Sequence, residues 1–266
     1  MLYYKIGRKG GLRMADAKIL AVAGKGGVGK TSVSAAMVRL LVRAYPDRRI
    51  LAIDADPAVG LSTALGIEQG TTLDDIRKEI TGEVTEREGG GVSDILESVK
   101  DRLLAAMQHR RGYDFFAIGR PETAGCYCAV NTYLRQVISL LIHDYDYVVV
   151  DSEAGIEQVN RRVLEKVAHL IFVSDASRKG TQVIQTVKRV ADELMMYEKC
   201  GAIINRVTDS SVMDFVDIGD IPILAVIGED EDQIEFDILG KSVFDLPDGA
   251  DILRGTAEAL QKLDIL

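Results

Sequence analysis

The residues best suited to chemistry form one short glycine-rich stretch, "GKGGVGKT", which covers residues 24–31. It matches the pattern G-x-x-x-x-G-K-[ST] and lies between an apolar run and a segment with helical periodicity. In that context the glycines let the backbone wrap around a phosphate chain, the lysine reaches the outer phosphates and the hydroxyl ligates Mg²⁺. The stretch predicts a nucleotide phosphate site made of Gly24, Lys25, Gly26, Gly27, Val28, Gly29, Lys30, Thr31 and Ser32, with Thr31 as the Mg²⁺ ligand.

Carboxylates follow two other apolar runs. "DADP" begins at Asp54 and includes Asp56, and "DSEAG" begins at Asp151. The carboxyl ends of parallel strands meet at one edge of a sheet, where open α/β folds bind ligands. These side chains are therefore expected beside the phosphate loop, although a helix cap is the alternative role for Asp54 or Asp151 taken singly. Asn205, in "NRV" at the end of a further run, is of a type that is common in turns.

Two of the chain's three cysteines are one residue apart in "GCYCAVN", at Cys126 and Cys128. A thiolate pair suits Zn²⁺, Ni²⁺ or Cu(I), but it is only half of a tetrahedral site. Because a two-fold dimer presents the same patch twice, two such pairs meeting at the axis would supply four sulfurs. The alternative is a pair of small buried side chains near a helix start. Cys200 lies in an apolar run and is expected in the core.

The elements that must position these residues alternate along the chain. Seven short apolar runs, rich in Val and Ile, predict strands that begin near residues 18, 49, 113, 146, 169, 200 and 221. Helices are expected at roughly 30–45, 93–110, 129–143, 178–196 and 251–264. This alternation predicts an α/β fold, a doubly wound and mostly parallel sheet with helices on both faces, as in phosphate-loop NTPases. We expect residues 1–13 to be a loose tail and residues 14–266 to form a single ATPase domain.

The composition excludes several classes of function. The chain has 266 residues, 47% of them hydrophobic, and a formal net charge of −9. Such an acidic balance argues against nucleic acid or an anionic membrane as the main partner. No apolar run approaches the ~20 residues that span a bilayer, and the beginning of the chain lacks a secretory signal. We therefore expect a cytoplasmic protein with reduced thiols, no nucleic-acid partner and no membrane partner.

The phosphate loop, with its extra lysine at Lys25, resembles that of the MinD/ParA/nitrogenase-iron-protein class of ATPases. The resemblance implies that Lys25 reaches the nucleotide of a partner subunit, as a catalytic cation alongside Lys30. It also implies that Asp56 orients or activates the attacking water, that Asp54 lies beside the Mg²⁺ shell and that Asp151 holds Mg²⁺ through water.

Within that class, "GRPETAGCYCAVN" and "DSEAGIEQ" are similar to the CooC family, from about Lys18 to the C-terminus. The resemblance implies an ATP-hydrolysing homodimer that assists nickel insertion into carbon monoxide dehydrogenase, with ATP or ADP, Mg²⁺, and Ni²⁺ or Zn²⁺ at Cys126 and Cys128. It implies an adenine contact for Asn205. Acetyl-CoA synthase is an equally compatible client.

Two other functions share some of these features. Four cysteines at a dimer interface would also hold a [4Fe–4S] cluster, as in a scaffold or reductase related to the nitrogenase iron protein. A MinD/ParA-type partition ATPase shares the phosphate loop, but it needs basic DNA-binding residues or a membrane-targeting tail. The last segment, "DILRGTAEALQKLDIL", instead has the spacing of a docking helix with one buried face.

Overall fold

The computed structural model describes residues 17–86, 99, 101–119, 138–152 and 167–266. Within these ranges the strands form one eight-stranded sheet in the order β3-β4-β2-β5-β1-β6-β7-β8. Neighbouring strands pair in parallel except for the antiparallel β3–β4 pair at one edge. The strands are β1 Lys18–Ala23, β2 Ile50–Asp54, β3 Gln108–Arg110, β4 Tyr113–Ala117, β5 Tyr147–Asp151, β6 Val167–Ser174, β7 Tyr197–Val207 and β8 Ile223–Gly228.

Helices connect these strands. They are α1 Lys30–Ala44, α2 Gly60–Ala64, α3 Leu73–Glu86, α4 Arg178–Glu193, α5 Glu231–Leu239 and α6 Asp251–Lys262. Residues 101–106 and 138–142 are also helical, and 3₁₀ turns cover Ser210–Phe215 and Val243–Asp245. No helix in the described ranges is long and apolar enough to cross a bilayer.

Both faces of the sheet are buried, which explains the continuous apolar character of its central strands. On one face, side chains of α1 and α6 such as Val38, Leu41 and Leu260 pack on the sheet. On the other face, Ile76 of α3 and Ile184 of α4 do the same. The predicted three-layer, mostly parallel α/β fold is confirmed.

β1 lies at the centre of this arrangement, paired with β5 on one side and β6 on the other. The chain fills one half of the sheet before it crosses β1 to build the other half. The loop after β1 therefore opens at the point where the strand order reverses, which is where open α/β sheets bind ligands.

The sequence prediction was wrong at the edge of the sheet. The helix expected at 93–110 gives way to β3 by Gln108, and the eighth strand was missed because Gln108, His109 and Arg110 are polar and largely exposed. A two-residue turn, Arg111 and Gly112, joins β3 to β4, and Gly112 has a φ of 94°. Short polar edge strands of this kind lack the apolar run from which the other strands were predicted.

Helix α3 was also missed, although the sequence contains a signal for its start. Thr72 Oγ1 accepts a hydrogen bond from the Asp75 N–H (3.2 Å), and the Asp75 carboxylate accepts one from the Thr72 N–H (2.9 Å). This reciprocal pair is a capping box with Asp in the place of Glu or Gln. Helices α2 and α5, which are short, were not predicted either.

Candidate functional site

The loop between β1 and α1 is shaped by its glycines. Gly24 has a φ of 150°, and a Cβ there would lie 2.0 Å from the Val173 carbonyl oxygen on β6. Gly29 has a φ of 95°, and its Cβ would lie 2.4 Å from the Asn205 side-chain nitrogen. Because any other residue would displace β6 or Asn205, these glycines allow the loop to pass close over the strand ends.

Side chains hold the loop by its carbonyl oxygens. Lys30 Nζ donates to the Lys25 carbonyl (3.2 Å), Arg206 to the Gly27 carbonyl (2.9 Å) and Asn205 to the Val28 carbonyl (2.8 Å). The N–H groups of the first turn of a helix have no acceptor within the helix. A loop fixed through its carbonyls and followed by such a turn is suited to bind an anion through N–H groups.

Two carboxylates meet beside the loop. Asp54 ends β2 and Asp151 ends β5, and the register of these neighbouring parallel strands places them side by side. Both are fully buried. Asp54 accepts hydrogen bonds from the N–H groups of Asp56 (3.1 Å) and Leu61 (2.8 Å). Two buried acids side by side have a high desolvation cost unless they are protonated or neutralised by a cation.

The pKa values of Asp54 and Asp151 reflect the cost of burying their charges. Burial, and then the charge of Asp151, raise the pKa of Asp54 to about 7, although its two N–H bonds act in the opposite direction. Burial also raises the pKa of Asp151 to about 6, against the effect of two hydroxyl donors and the nearby Lys30. The pair therefore titrates close to neutral pH.

Both hydroxyl donors to Asp151 come from α1. Thr31 Oγ1 donates to one carboxylate oxygen (2.7 Å) and Ser34 Oγ to the other (3.0 Å). This oxygen-rich donor set of hydroxyls and carboxylates is the kind that a hard divalent cation such as Mg²⁺ prefers. A divalent cation bound here would also offset the burial cost of the two acids, so the residues fit the expected ion.

Asp56 lies two residues after the end of β2 and is only partly buried. Its carboxylate accepts a hydrogen bond from the Ala58 N–H (2.8 Å), an Asx turn that leads into α2. Val59, at the start of that helix, has a φ of 51°, which is an outlier for a β-branched residue. The loop that carries Asp56 is therefore held in a strained conformation, of the kind found at ligand-binding segments.

Lys25 contacts its own chain. Its Nζ lies 3.3 Å from a carboxylate oxygen of Asp175, which follows β6, and both side chains are about 30% exposed. Sequence reasoning missed Asp175, since the resemblance assigned Lys25 to a partner subunit. An Asp directly after a strand that borders the phosphate loop was the available signal.

A cleft opens next to the loop, at the ends of β7 and β8. Asn205 and Arg206 line it together with Ser32, Gln233 and Asp237. Asn205 is 5% exposed, and Arg206 follows it with a φ of 61°. Sequence reasoning found Asn205 and Ser32 but not Arg206, although Arg206 is the next residue in the quoted "NRV" stretch.

The predicted cysteine pair, Cys126 and Cys128, lies outside the described residues. Within the ranges that the structure does describe, no group of three or more His, Cys, Asp or Glu side chains could hold a metal ion. Cys200 is a free thiol that packs against the core but is only partly buried, so its expected core position is confirmed in part.

Comparison with known proteins places this geometry in a family. The CobQ/CobB/MinD/ParA nucleotide binding domain matches residues 19–243. An uncharacterized ATP-binding protein of Methanocaldococcus jannaschii, MJ0685, is 31% identical over 249 residues, which cover 92% of this chain and 98% of that protein. The carbon monoxide dehydrogenase accessory protein CooC of Rhodospirillum rubrum is 32% identical over 239 residues, 85% of this chain and 83% of CooC.

Solved structures agree on the fold. The septum site-determining protein MinD of Pyrococcus horikoshii, in complex with Mg-ADP, superposes with a TM-score of 0.66 at 20% identity, covering 93% of this chain and 96% of MinD. At that identity the likeness concerns the fold alone. The match over residues 19–243, with the relatives named as ATP-binding, shows that this ATPase belongs to the CobQ/CobB/MinD/ParA family of nucleotide-binding domains.

Proposed function

We propose that this ATPase is a metallochaperone that assists nickel insertion into carbon monoxide dehydrogenase or the related acetyl-CoA synthase. It works as a homodimer whose assembly depends on ATP and which shares one metal site between its subunits. One observation supports the role in nickel insertion: Cys126 and Cys128 occur on a chain that is 32% identical to CooC over most of its length.

Within each subunit, the phosphate loop binds the nucleotide. Lys30 is 7% exposed and lies under the loop, where its charge can reach the β and γ phosphates. Thr31 and Asp151 would hold Mg²⁺, with Asp54 beside them, and the ion would supply neutralisation of phosphate charge. Asp56, the more accessible carboxylate, would accept a hydrogen bond from the attacking water and orient it.

Lys25 differs from Lys30 in that its side chain is about 30% exposed. We assign it to the nucleotide of the partner subunit, as a cation delivered in trans. Asn205 and the cleft that it lines would receive the base, since they lie beside the loop at the start of α1.

Cys126 and Cys128 supply two sulfur ligands per subunit, and structural Zn²⁺ sites have four ligands. A two-fold dimer doubles the pair and completes the set. Lys25 needs the same face-to-face dimer, so ATP and metal would stabilise one assembly. A coupling of about 1–3 kcal/mol between the two sites would change nickel affinity by about 5- to 150-fold between nucleotide states.

The trans role of Lys25 can be tested by mixing two inactive variants, Lys25→Ala and Lys30→Ala. Each mixed dimer has one site in which Lys30 comes from one subunit and Lys25 from the other. A mixed dimer keeps one Lys25 contact across its interface, whereas a dimer of two Lys25→Ala subunits has none. Random pairing would make about half of the dimers mixed, with one intact site of two, and so would restore about a quarter of the wild-type rate of ATP hydrolysis.

The matched control mixes Lys30→Ala with the double variant Lys25→Ala/Lys30→Ala, which contains no intact site in any dimer. A mixture of the single variants that is no more active than this control would exclude delivery of Lys25 in trans.

The metal site is tested by replacing Cys126 and Cys128 with Ser, with Cys200→Ser as the matched control. The wild type and Cys200→Ser should bind one Ni²⁺ or Zn²⁺ per dimer and activate a nickel-free carbon monoxide dehydrogenase in the presence of ATP. The double variant should lose both properties and keep ATP hydrolysis. Metal binding that survives in the double variant would place the metal elsewhere.

Two further outcomes would redirect the proposal. Nickel affinity that is the same with ATP, ADP and no nucleotide would remove the coupling. A brown protein with absorbance at about 400 nm after anaerobic purification would favour the iron–sulfur alternative, because thiolate-bound clusters absorb there.

A further inference from the structure

Asp175 forms the one ion pair of Lys25 among the described residues. The two residues are 150 positions apart, and their contact joins the phosphate loop to the end of β6. The distance of 3.3 Å and the exposure of both side chains make this a contact that water can replace.

The Asp175 carboxylate is anchored independently of Lys25. Its Oδ1 accepts hydrogen bonds from the N–H and the hydroxyl of Ser177, while Oδ2 is the oxygen that faces Lys25. Gly180 leaves room for this arrangement, since a Cβ there would lie 2.2 Å from Oδ1. One oxygen is therefore tied to the start of α4, and the other is presented to the lysine.

The charge of Asp175 is also secured. Burial alone would raise its pKa, but the hydrogen bonds from Ser177 and then Lys25 outweigh that effect and hold the pKa below its ordinary value. Asp175 is thus an anion beside the loop, with one oxygen held by Ser177 independently of Lys25.

In the proposed dimer, the nucleotide phosphates of the partner subunit would compete with Asp175 for the Lys25 ammonium group. We propose that Asp175 is a positioning residue that holds Lys25 on its own subunit and so raises the concentration of protein needed for ATP-dependent dimerisation. This inference rests on the proposed function, in which Lys25 acts in the partner's site. Each dimer that forms must break two such contacts, one in each subunit.

The test is the Asp175→Asn substitution, which removes the charge and keeps the shape of the side chain. Exposed ion pairs are weak, and two are broken per dimer, so the Kd of the ATP-bound dimer should fall about 2- to 30-fold. The measurement is sedimentation velocity with a slowly hydrolysed ATP analogue over a protein concentration series. In the ATPase assay, the protein concentration at half-maximal rate should fall by the same factor, with the maximal rate unchanged.

Two controls separate this effect from damage to the fold. Ser177→Ala removes the hydroxyl that caps α4 at the Gly180 N–H (3.1 Å) and one of the two hydrogen bonds to Asp175 Oδ1. It leaves Asp175 charged and bound by the Ser177 N–H, so it should lower thermal stability and leave the dimer Kd within about twofold. Asp264→Asn removes an exposed ion pair with Lys199 (2.8 Å), outside the phosphate-loop region, and should leave the dimer Kd unchanged.

A dimer Kd for Asp175→Asn that is unchanged or raised would overturn the proposal, as would a lower maximal rate with an unchanged half-saturation point. Lys25→Ala distinguishes this failure from a failure of the proposed function. If Lys25→Ala abolishes ATP-dependent dimerisation and Asp175→Asn has no effect, only the role of Asp175 is wrong. If Lys25→Ala dimerises normally, the trans role of Lys25 is wrong as well.

Discussion

Two pairs of charged side chains flank the phosphate loop, and they differ in almost every physical respect. Asp54 and Asp151 are fully buried, carry like charges and are fixed by the register of β2 and β5. Lys25 and Asp175 are partly exposed, carry opposite charges and meet only through side-chain atoms. Burial of two like charges has a large desolvation cost and requires a defined partner. An exposed pair of opposite charges changes the free energy little when it forms or breaks.

The difference suggests a division of labour. The buried pair is a preformed site, and a bound cation would offset the desolvation cost of its two carboxylates. It therefore suits a fixed role within one subunit. The exposed pair can exchange partners with little penalty, so it suits a contact that changes between monomer and dimer.

The largest expected effect concerns Lys30, the cation on the buried side. Lys30→Ala removes the charge that faces the transferred phosphate, and loss of one such electrostatic group costs about 100- to 1000-fold in rate. The measurement is the steady-state rate of ATP hydrolysis, with circular dichroism to show that the fold is intact. A rate within tenfold of the wild type would mean that Lys30 does not act on the phosphates.

The next prediction concerns pH. Asp54 has a folded pKa of about 7, raised from about 3.9 in the unfolded chain, so between these values the folded state binds the extra proton. The contribution of Asp54 to stability therefore becomes less favourable as pH rises through this window and is constant above it. Asp54→Asn lacks the charge. Its stability relative to the wild type should increase by about 3 kcal/mol between pH 5 and pH 8.

Urea unfolding of both proteins without nucleotide or Mg²⁺ provides this measurement. The substitution also weakens the hydrogen bonds from the Asp56 and Leu61 N–H groups. The part of that loss that depends on pH is already contained in the pKa of Asp54, and the rest affects only the absolute difference. A stability difference that is the same at both pH values would show that Asp54 is not an uncompensated buried charge.

A smaller effect is expected from the glycines. Gly24→Ala places a Cβ against the Val173 carbonyl at a backbone angle that disfavours side chains, and should cost about 2–3 kcal/mol of unfolding free energy. Gly26→Ala is the matched control, because a Cβ there meets nothing within 4 Å and should change stability by less than about 0.5 kcal/mol. Equal losses would mean that the loop tolerates side chains uniformly and is not closely packed on β6.

The sequence could predict the buried half of the site because that half depends on the backbone. A glycine-rich loop after an apolar strand and an Asp at each of two strand ends predict one edge of one sheet, and the structure brings Thr31, Asp54 and Asp151 together there. Apolar runs likewise predicted the central strands, since parallel strands buried on both faces must be apolar.

The exposed half could not be predicted in the same way. Asp175 and Arg206 contact the site through side chains that arrive from the ends of two separate strands, β6 and β7, and the spacing of the chain does not encode which groups they meet. The polar edge strand β3 was missed for a related reason, because its pairing is set by a two-residue turn rather than by burial. The capping box of α3 was a local signal that was overlooked.

The smallest predicted effect concerns Lys25, the cation of the exposed pair. Exposed ion pairs contribute about 0.2–1 kcal/mol, so Lys25→Ala should change the unfolding free energy of the nucleotide-free monomer by less than about 1 kcal/mol. The same variant should fail to dimerise with ATP if Lys25 serves the partner's site. Urea unfolding at a protein concentration that keeps the chain monomeric separates the two properties. A loss of more than about 2 kcal/mol would exceed what an exposed pair can contribute, and Lys25 would then be part of the folded framework, as Lys30 is, rather than a residue free to exchange partners.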